Sequence, residues 1–118
     1  MKMKTLLALF VATLAALAVA QAPATYTPAE AAKHVGETAT VTGTVDSFHQ
    51  SGKGNMFLNM GGKYPNQAFT AFIPSASAAQ FANAQQYEGR IISVSGKIDL
   101  YKGKPEIIVT SPSQISAK

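Results

Sequence analysis

The sequence predicts a mainly β domain: a small closed barrel of five strands, with one helix between the third and fourth and a short helix in front. Three observations predict it. Two β-rich segments repeat at a constant spacing, each with a glycine inside. Two short apolar runs lie between them, and an Ala- and Gln-rich stretch follows the second of these runs.

The repeat comes first. "VGETATVTGTVDSF" (35–48) and "EGRIISVSGKIDLY" (88–101) align at an offset of 53. Gly36 then matches Gly89, Val41 matches Val94 and Thr42 matches Ser95. Gly43 matches Gly96, Val45 matches Ile98, Asp46 matches Asp99 and Phe48 matches Tyr101. A glycine inside a strand marks a bulge, a bend or a close backbone approach. Two long strands bent at Gly43 and Gly96 suit a small barrel, whose strands pair with different neighbours on either side of a corner. Two similar strands do not make a solenoid.

The intervening runs are "NMFLNM" (55–60) and "AFTAFI" (68–73), separated by the turn-rich "GGKYPNQ" (61–67). Alternation puts Met56, Leu58 and Met60 on one face of the first run, the better core candidate, and Phe57 and Asn59 on the other. In "PSASAAQFANAQQY" (74–87), Ser77 and Gln80 suggest a capping box and Phe81 a single apolar anchor, so a helix is expected over 77–84. The last strand is expected over 106–110, with Ile115 packing back on the core. In front, Thr27, Pro28 and Glu30 form a capping box with proline at the first helical position. Gly36 stops this helix, read as 28–34. Strand, strand, strand, helix, strand, strand is the plan of the OB-fold, a five-stranded Greek-key barrel. A small sandwich, or another barrel of similar strand count, is the rival.

Residues 1–20 read as a secretory signal peptide: Lys2 and Lys4, an uncharged apolar run, then Ala18-Val19-Ala20. The run is shorter than a membrane span needs, and no charged stop-transfer segment follows. Cleavage is expected after Ala20. Cleavage after Ala22 would place Pro23 just beyond the cut. Residues 21–25 read as a flexible leader and 26–118 as one domain, secreted and periplasmic. Losing Lys2 and Lys4 leaves eight basic residues against six acidic, a net charge of +2 instead of +4. That balance does not imply nucleic acid unless the charges cluster. With no cysteine, the chain has no disulfide, thiolate nucleophile, lipidated cysteine or Cys-type zinc site.

Three blocks carry a resemblance: "HVGETATVTGTV", "FLNMGGKYPNQAFTAFI" and "YEGRIISVSGKIDLYKGKPEIIVTSPSQI". Through them most of the mature chain resembles small secreted bacterial OB-fold domains, found alone or attached to nuclease-like proteins and described as nucleic-acid-binding. The resemblance implies a fold and a binding role, and carries over no catalytic residue.

OB-folds bind ligands across strands 2 and 3, between the loops that join strands 1 to 2 and 4 to 5. Here those loops are 48–55 and 101–105. The candidate ligand-binding residues are Phe48, Lys53, Phe57, Tyr101, Lys102 and Lys104, rings for stacking bases and lysines for phosphates. His49 shares the first loop. The plainer reading is that "YKGKP" is a hairpin turn with solvated lysines, Gly103 supplying a positive φ, and that Phe48 and Tyr101 cap the barrel ends. In "GGKYPNQ", Tyr64 is expected to pack on the barrel, in a loop away from the main cleft. His34 is expected to end the first helix, and Asp46 and Asp99 to bond backbone. No HExxH, close histidine pair or acidic cluster occurs. No metal, cofactor or catalytic activity is therefore expected. The expected ligand is single-stranded nucleic acid or another extended polyanion. The alternatives are an envelope protein, in an interaction or structural role, and an oligosaccharide or small molecule.

Overall fold

The computed structural model describes residues 23–118, so the expected signal peptide lies outside the described residues. The strands are β1 (Thr25–Tyr26), β2 (Thr38–Gln50), β3 (Met56–Met60), β4 (Phe69–Ile73), β5 (Ile91–Tyr101), β6 (Lys104–Ile108) and β7 (Ile115–Ala117). Short 3₁₀ helices span Pro28–Lys33, Ser75–Phe81, Ala84–Tyr87 and Pro112–Gln114.

Hydrogen bonding runs β2-β3-β4-β6-β5 and returns to β2, which closes a five-stranded barrel. Only β4–β6 is parallel within that ring. Ring closure with helices between the third and fourth barrel strands is the OB-fold plan and excludes the sandwich.

The repeat has a geometric meaning. β2 and β5 pair antiparallel with Val41 opposite its own counterpart Val94, and pairs on either side of them exchange under the offset, as Thr40–Ser95 does with Thr42–Ser93. The offset of 53 therefore describes a local two-fold axis. Gly36 N–H donates to Ile98 C=O and Gly89 N–H to Val45 C=O, both at 2.8 Å. Val45 N–H donates to Arg90 C=O and Ile98 N–H to Glu37 C=O, both at 2.9 Å. On the outer face the hydroxyls of Thr40 and Ser95 meet at 2.9 Å, and those of Thr42 and Ser93 at 2.8 Å. Each bond maps onto its partner under the offset. Inside, Ala39, Val41 and Val45 alternate toward the core from β2, and Ile92, Val94 and Ile98 from β5. Leu58, Met60, Phe69, Ile73, Ile107 and Val109 complete the buried centre. The Met-Leu face of β3 is thus the core face, as alternation predicts.

The two inner glycines are close approaches, not bulges. The register shift in β2 falls between Val45 and Ser47, at Asp46. A Cβ on Gly43 would lie 2.6 Å from Pro28 Cγ, because the first helix packs flat on the strand there. A Cβ on Gly96 would lie 2.8 Å from an Ile107 methyl, and this glycine holds φ +151°. Gly96 sits just before the corner where β5 leaves β2 for β6.

The expected leader ends in structure: Thr25 and Tyr26 pair parallel with Thr40 and Val41 and cover the free edge of β2. The first helix carries its capping box, Thr27 with Glu30. Behind it, Tyr26 stacks on His34 at 3.8 Å, and both bond Glu37, Tyr26 Oη at 2.7 Å and His34 Nδ1 at 2.6 Å. These bonds hold the Glu37 carboxyl below its ordinary range. The second helix differs from expectation. It starts at Ser75, two residues early, with no side-chain cap, and breaks before Ala84. Asn55 Oδ1 accepts from Ser75 N–H and sets the start, while Ser77 is buried and Gln80 reaches Thr110 C=O. Ile115 packs back on the core as β7, opposite Val94.

Gly43→Ala should force Pro28 off β2 at a cost of about 1–3 kcal/mol, typical of overpacking. Urea denaturation is expected to show a lower midpoint at unchanged m-value. An unchanged midpoint would show that the helix yields freely.

Candidate functional site

The outer face of the curved sheet β2-β3-β4-β6-β5 carries two rows of side chains set by register. One is polar: Ser47, Asn59, Thr70, Glu106 and Asp99, one from each strand in turn. The other is largely aromatic: His49, Phe57, Phe72 and Ile108. His49 stacks on Phe57 at 5.8 Å between centroids, and Phe57 meets Phe72 at 5.3 Å.

Two loops wall this face. The 61–67 loop folds toward it, held by side chains that the sequence places elsewhere. Asp46 Oδ2, at the register shift, accepts from Gly62 N–H at 2.7 Å. Lys104 Nζ donates to the carbonyls of Pro65 and Gln67 at 2.5 and 3.1 Å. Opposite stands the β5–β6 hairpin. Its central residues, Lys102 and Gly103, both have positive φ (+51° and +81°), as a type I′ turn requires. Lys102 Nζ lies 5.3 Å over the Tyr101 ring.

The result is a solvent-open groove of about 780 Å³. Of the six candidates, Phe48, Phe57, Tyr101, Lys102 and Lys104 line it. Lys53 does not: it lies exposed at the β2–β3 turn. Phe48 is half-buried, pairs beside Leu58 and packs on the core. Lys104 is engaged with loop carbonyls. Tyr101 is 56% exposed, not a cap on the barrel end.

The 61–67 loop corrects the sequence reading most. Tyr64 does not pack on the barrel. It is 73% exposed and lines the groove with Lys63, Pro65 and Gln67. The signal that finds these residues is the pair of long-range tethers, Asp46 and Lys104, which sequence alone does not couple to the loop. Asn59 and Thr70 could have been found as the polar interruptions on the outward faces of two apolar strands. Asp46 bonds backbone as expected, whereas Asp99 stands opposite Glu106 instead. No group of three or more metal-ligating side chains occurs among the described residues, and no helix there is long and apolar enough to cross a membrane. A second hollow, of about 460 Å³, lies between residues 79–90 and the C-terminal segment and mixes alanines with polar and aromatic side chains, Arg90 among them.

No family model matches the chain, and no curated protein does. Solved structures do. An OBody, AM1L10, bound to hen egg-white lysozyme matches at 20% identity and TM-score 0.56, over 85% of this chain and 97% of that one. The aspartyl tRNA synthetase from Entamoeba histolytica matches at 20% identity and TM-score 0.53, over 78% of this chain and 21% of that one. The asparaginyl-tRNA synthetase of the same organism, in complex with asparaginyl-adenylate, matches at 15% identity and TM-score 0.52, over 81% and 24%. The chain spans only about a fifth to a quarter of the synthetases. Likeness at this identity establishes the fold, an OB-like barrel.

Glu106 generates a prediction. Burial, and then the charge of Asp99 across the strand pair, push its carboxyl above the usual 4.5. A raised carboxyl favours the fold below the unfolded value, and that contribution is lost as pH rises through the folded value. Glu106→Gln should therefore raise Tm at pH 7, and the gain should shrink below pH 4.5, where Glu106 is protonated. A pH-independent difference in thermal scans would refute this.

Proposed function

We propose that this protein is a secreted OB-fold binding module whose groove takes single-stranded nucleic acid, without catalysis. One observation carries the reading: Tyr64, Tyr101 and Phe57 share a single groove with Lys63, Lys102 and Lys104. Rings accept bases of any sequence by stacking, and ammonium groups follow the phosphates. The synthetase neighbours, which are named for tRNA, support the same reading.

The strained lysine supports it too. Lys102 occupies a left-handed backbone position where glycine would sit without strain. Among the described residues its side chain makes no hydrogen bond that would account for the choice, and it lies over Tyr101 at the groove wall. A protein-recognition module is the second reading, favoured by the neighbour bound to lysozyme, which matches over nearly its whole length.

Fluorescence anisotropy with labelled single-stranded DNA tests the first. With Lys104 engaged by the loop carbonyls, the other two groove lysines, Lys63 and Lys102, give a slope of log K against log salt of about −1.4. Lys102→Gly should keep or raise stability, weaken binding and flatten that slope by about 0.7. Tyr64→Ala should cost about 1–3 kcal/mol of affinity. Absence of binding at low salt by folded protein would remove nucleic acid and leave protein recognition.

Secretion rests on residues 1–20 and on their expected removal. Intact-mass measurement of protein recovered from the periplasm of an expressing bacterium should give a chain beginning at Gln21. A full-length mass in the cytoplasmic fraction would count against export.

A further inference from the structure

The groove floor holds hydrogen-bonding capacity that the fold does not use. Gln67 is 8% exposed, and its buried Oε1 has no hydrogen-bond partner among the described residues. The direction of bonding along the polar row explains why. Gln67 Nε2 donates to Thr70 Oγ1 at 3.3 Å, Thr70 Oγ1 donates to Asn59 Oδ1 at 3.0 Å, and Asn59 Nδ2 donates to Ser47 Oγ at 3.2 Å. Each residue turns one donor along the row, and the Oε1 at its Gln67 end is left as an acceptor that the row does not use.

Glu106 adds a second acceptor beside it. It stands opposite Thr70 on the adjoining strand and lines the same groove. No cation lies within ion-pair distance of it among the described residues. Lys104, two residues away on the same face, turns its ammonium to the carbonyls of Pro65 and Gln67. Asp99, across the strand pair, repels it instead of neutralising it. A carboxylate and an unused amide oxygen between exposed rings suit a flat group with two neighbouring N–H donors.

Resting on the nucleic-acid reading of the groove, we propose that its floor is a base-specific subsite for guanine. Guanine alone among the common bases offers adjacent donors, the ring N1–H and the exocyclic N2 amine. Glu106 and Gln67 Oε1 accept them, while Tyr64 or Tyr101 covers the face of the base. Adenine and cytosine place a ring acceptor beside their amine. Thymine and uracil flank one N–H with carbonyl oxygens, which meet the same acceptors unfavourably.

The test uses labelled nine-residue thymidine oligomers with the central base kept as thymine or replaced by guanine, hypoxanthine or adenine, titrated by anisotropy at one low salt concentration. Guanine should bind roughly tenfold tighter than thymine, the discrimination of a good two-point base contact. Hypoxanthine, which lacks the N2 amine, should fall between them. Gln67→Leu removes the bare acceptor. Glu106→Gln, nearly identical in shape, should bind every oligomer somewhat more tightly through the lost negative charge, yet lose most of the guanine advantage, read as the guanine-to-thymine affinity ratio within the variant. Equal affinity for all four oligomers, or a guanine advantage untouched by Glu106→Gln, overturns the subsite and leaves the groove reading intact. No binding of any oligomer overturns both.

Discussion

The antiparallel pairing of β2 with β5 is the interaction on which the rest of the molecule depends. It closes the ring, and it does so between the two segments of the internal repeat. Val41 faces Val94, and the flanking glycine N–H groups bond carbonyls at symmetric positions. Each strand then leaves the pair, β2 for β3 and β5 for β6. The corner brings the far halves, with Phe48 and Tyr101, to a shared surface, although the local two-fold axis puts those residues at opposite ends of the pair. Equivalent positions in sequence become two walls of one groove because the barrel is closed and bent, not because the strands run alike.

The groove is built by polar groups as much as by rings. Asp46 and Lys104 spend their charge on backbone atoms of the 61–67 loop and bring Tyr64 and Lys63 to the open face. A charged side chain that positions a wall cannot also be counted as a free ligand for phosphate. The basic character of the site therefore rests on Lys63 and Lys102, with Lys104 contributing field but few spare donors. Glu106 and Asp99 set an acidic patch within that field, so the groove is polar along one row and aromatic along the next.

Much of the fold was legible from the residues because it depends on local periodicity. Alternation named the core face of β3, the internal repeat named the closing pair, and Thr27 with Glu30 marked the first helix. What was not legible depends on partners distant in sequence. Ser77 looked like a cap but is buried, since Asn55 starts the helix at Ser75. The glycines were read as bends, yet the shift falls at Asp46 and the glycines make room for Pro28 and Ile107. At the site, the hairpin 101–105 is legible as a turn, and in the structure it forms one wall of the groove. Lys53 was misplaced, because loop membership says nothing about which way a loop leans. Tyr64 was missed for the same reason.

The two edge strands have a consequence for how the molecule can be held. β1 adds to β2 and β7 to β5, both beside the closing pair, and Lys118 N–H bonds Ile91 C=O at 2.9 Å. Neither joins β3, β4 or β6, whose outer faces carry the groove. A surface, bead or fused domain attached through either described end would therefore anchor the barrel by its closing wall and leave the groove free. The domain is suited to immobilisation and to display in tandem.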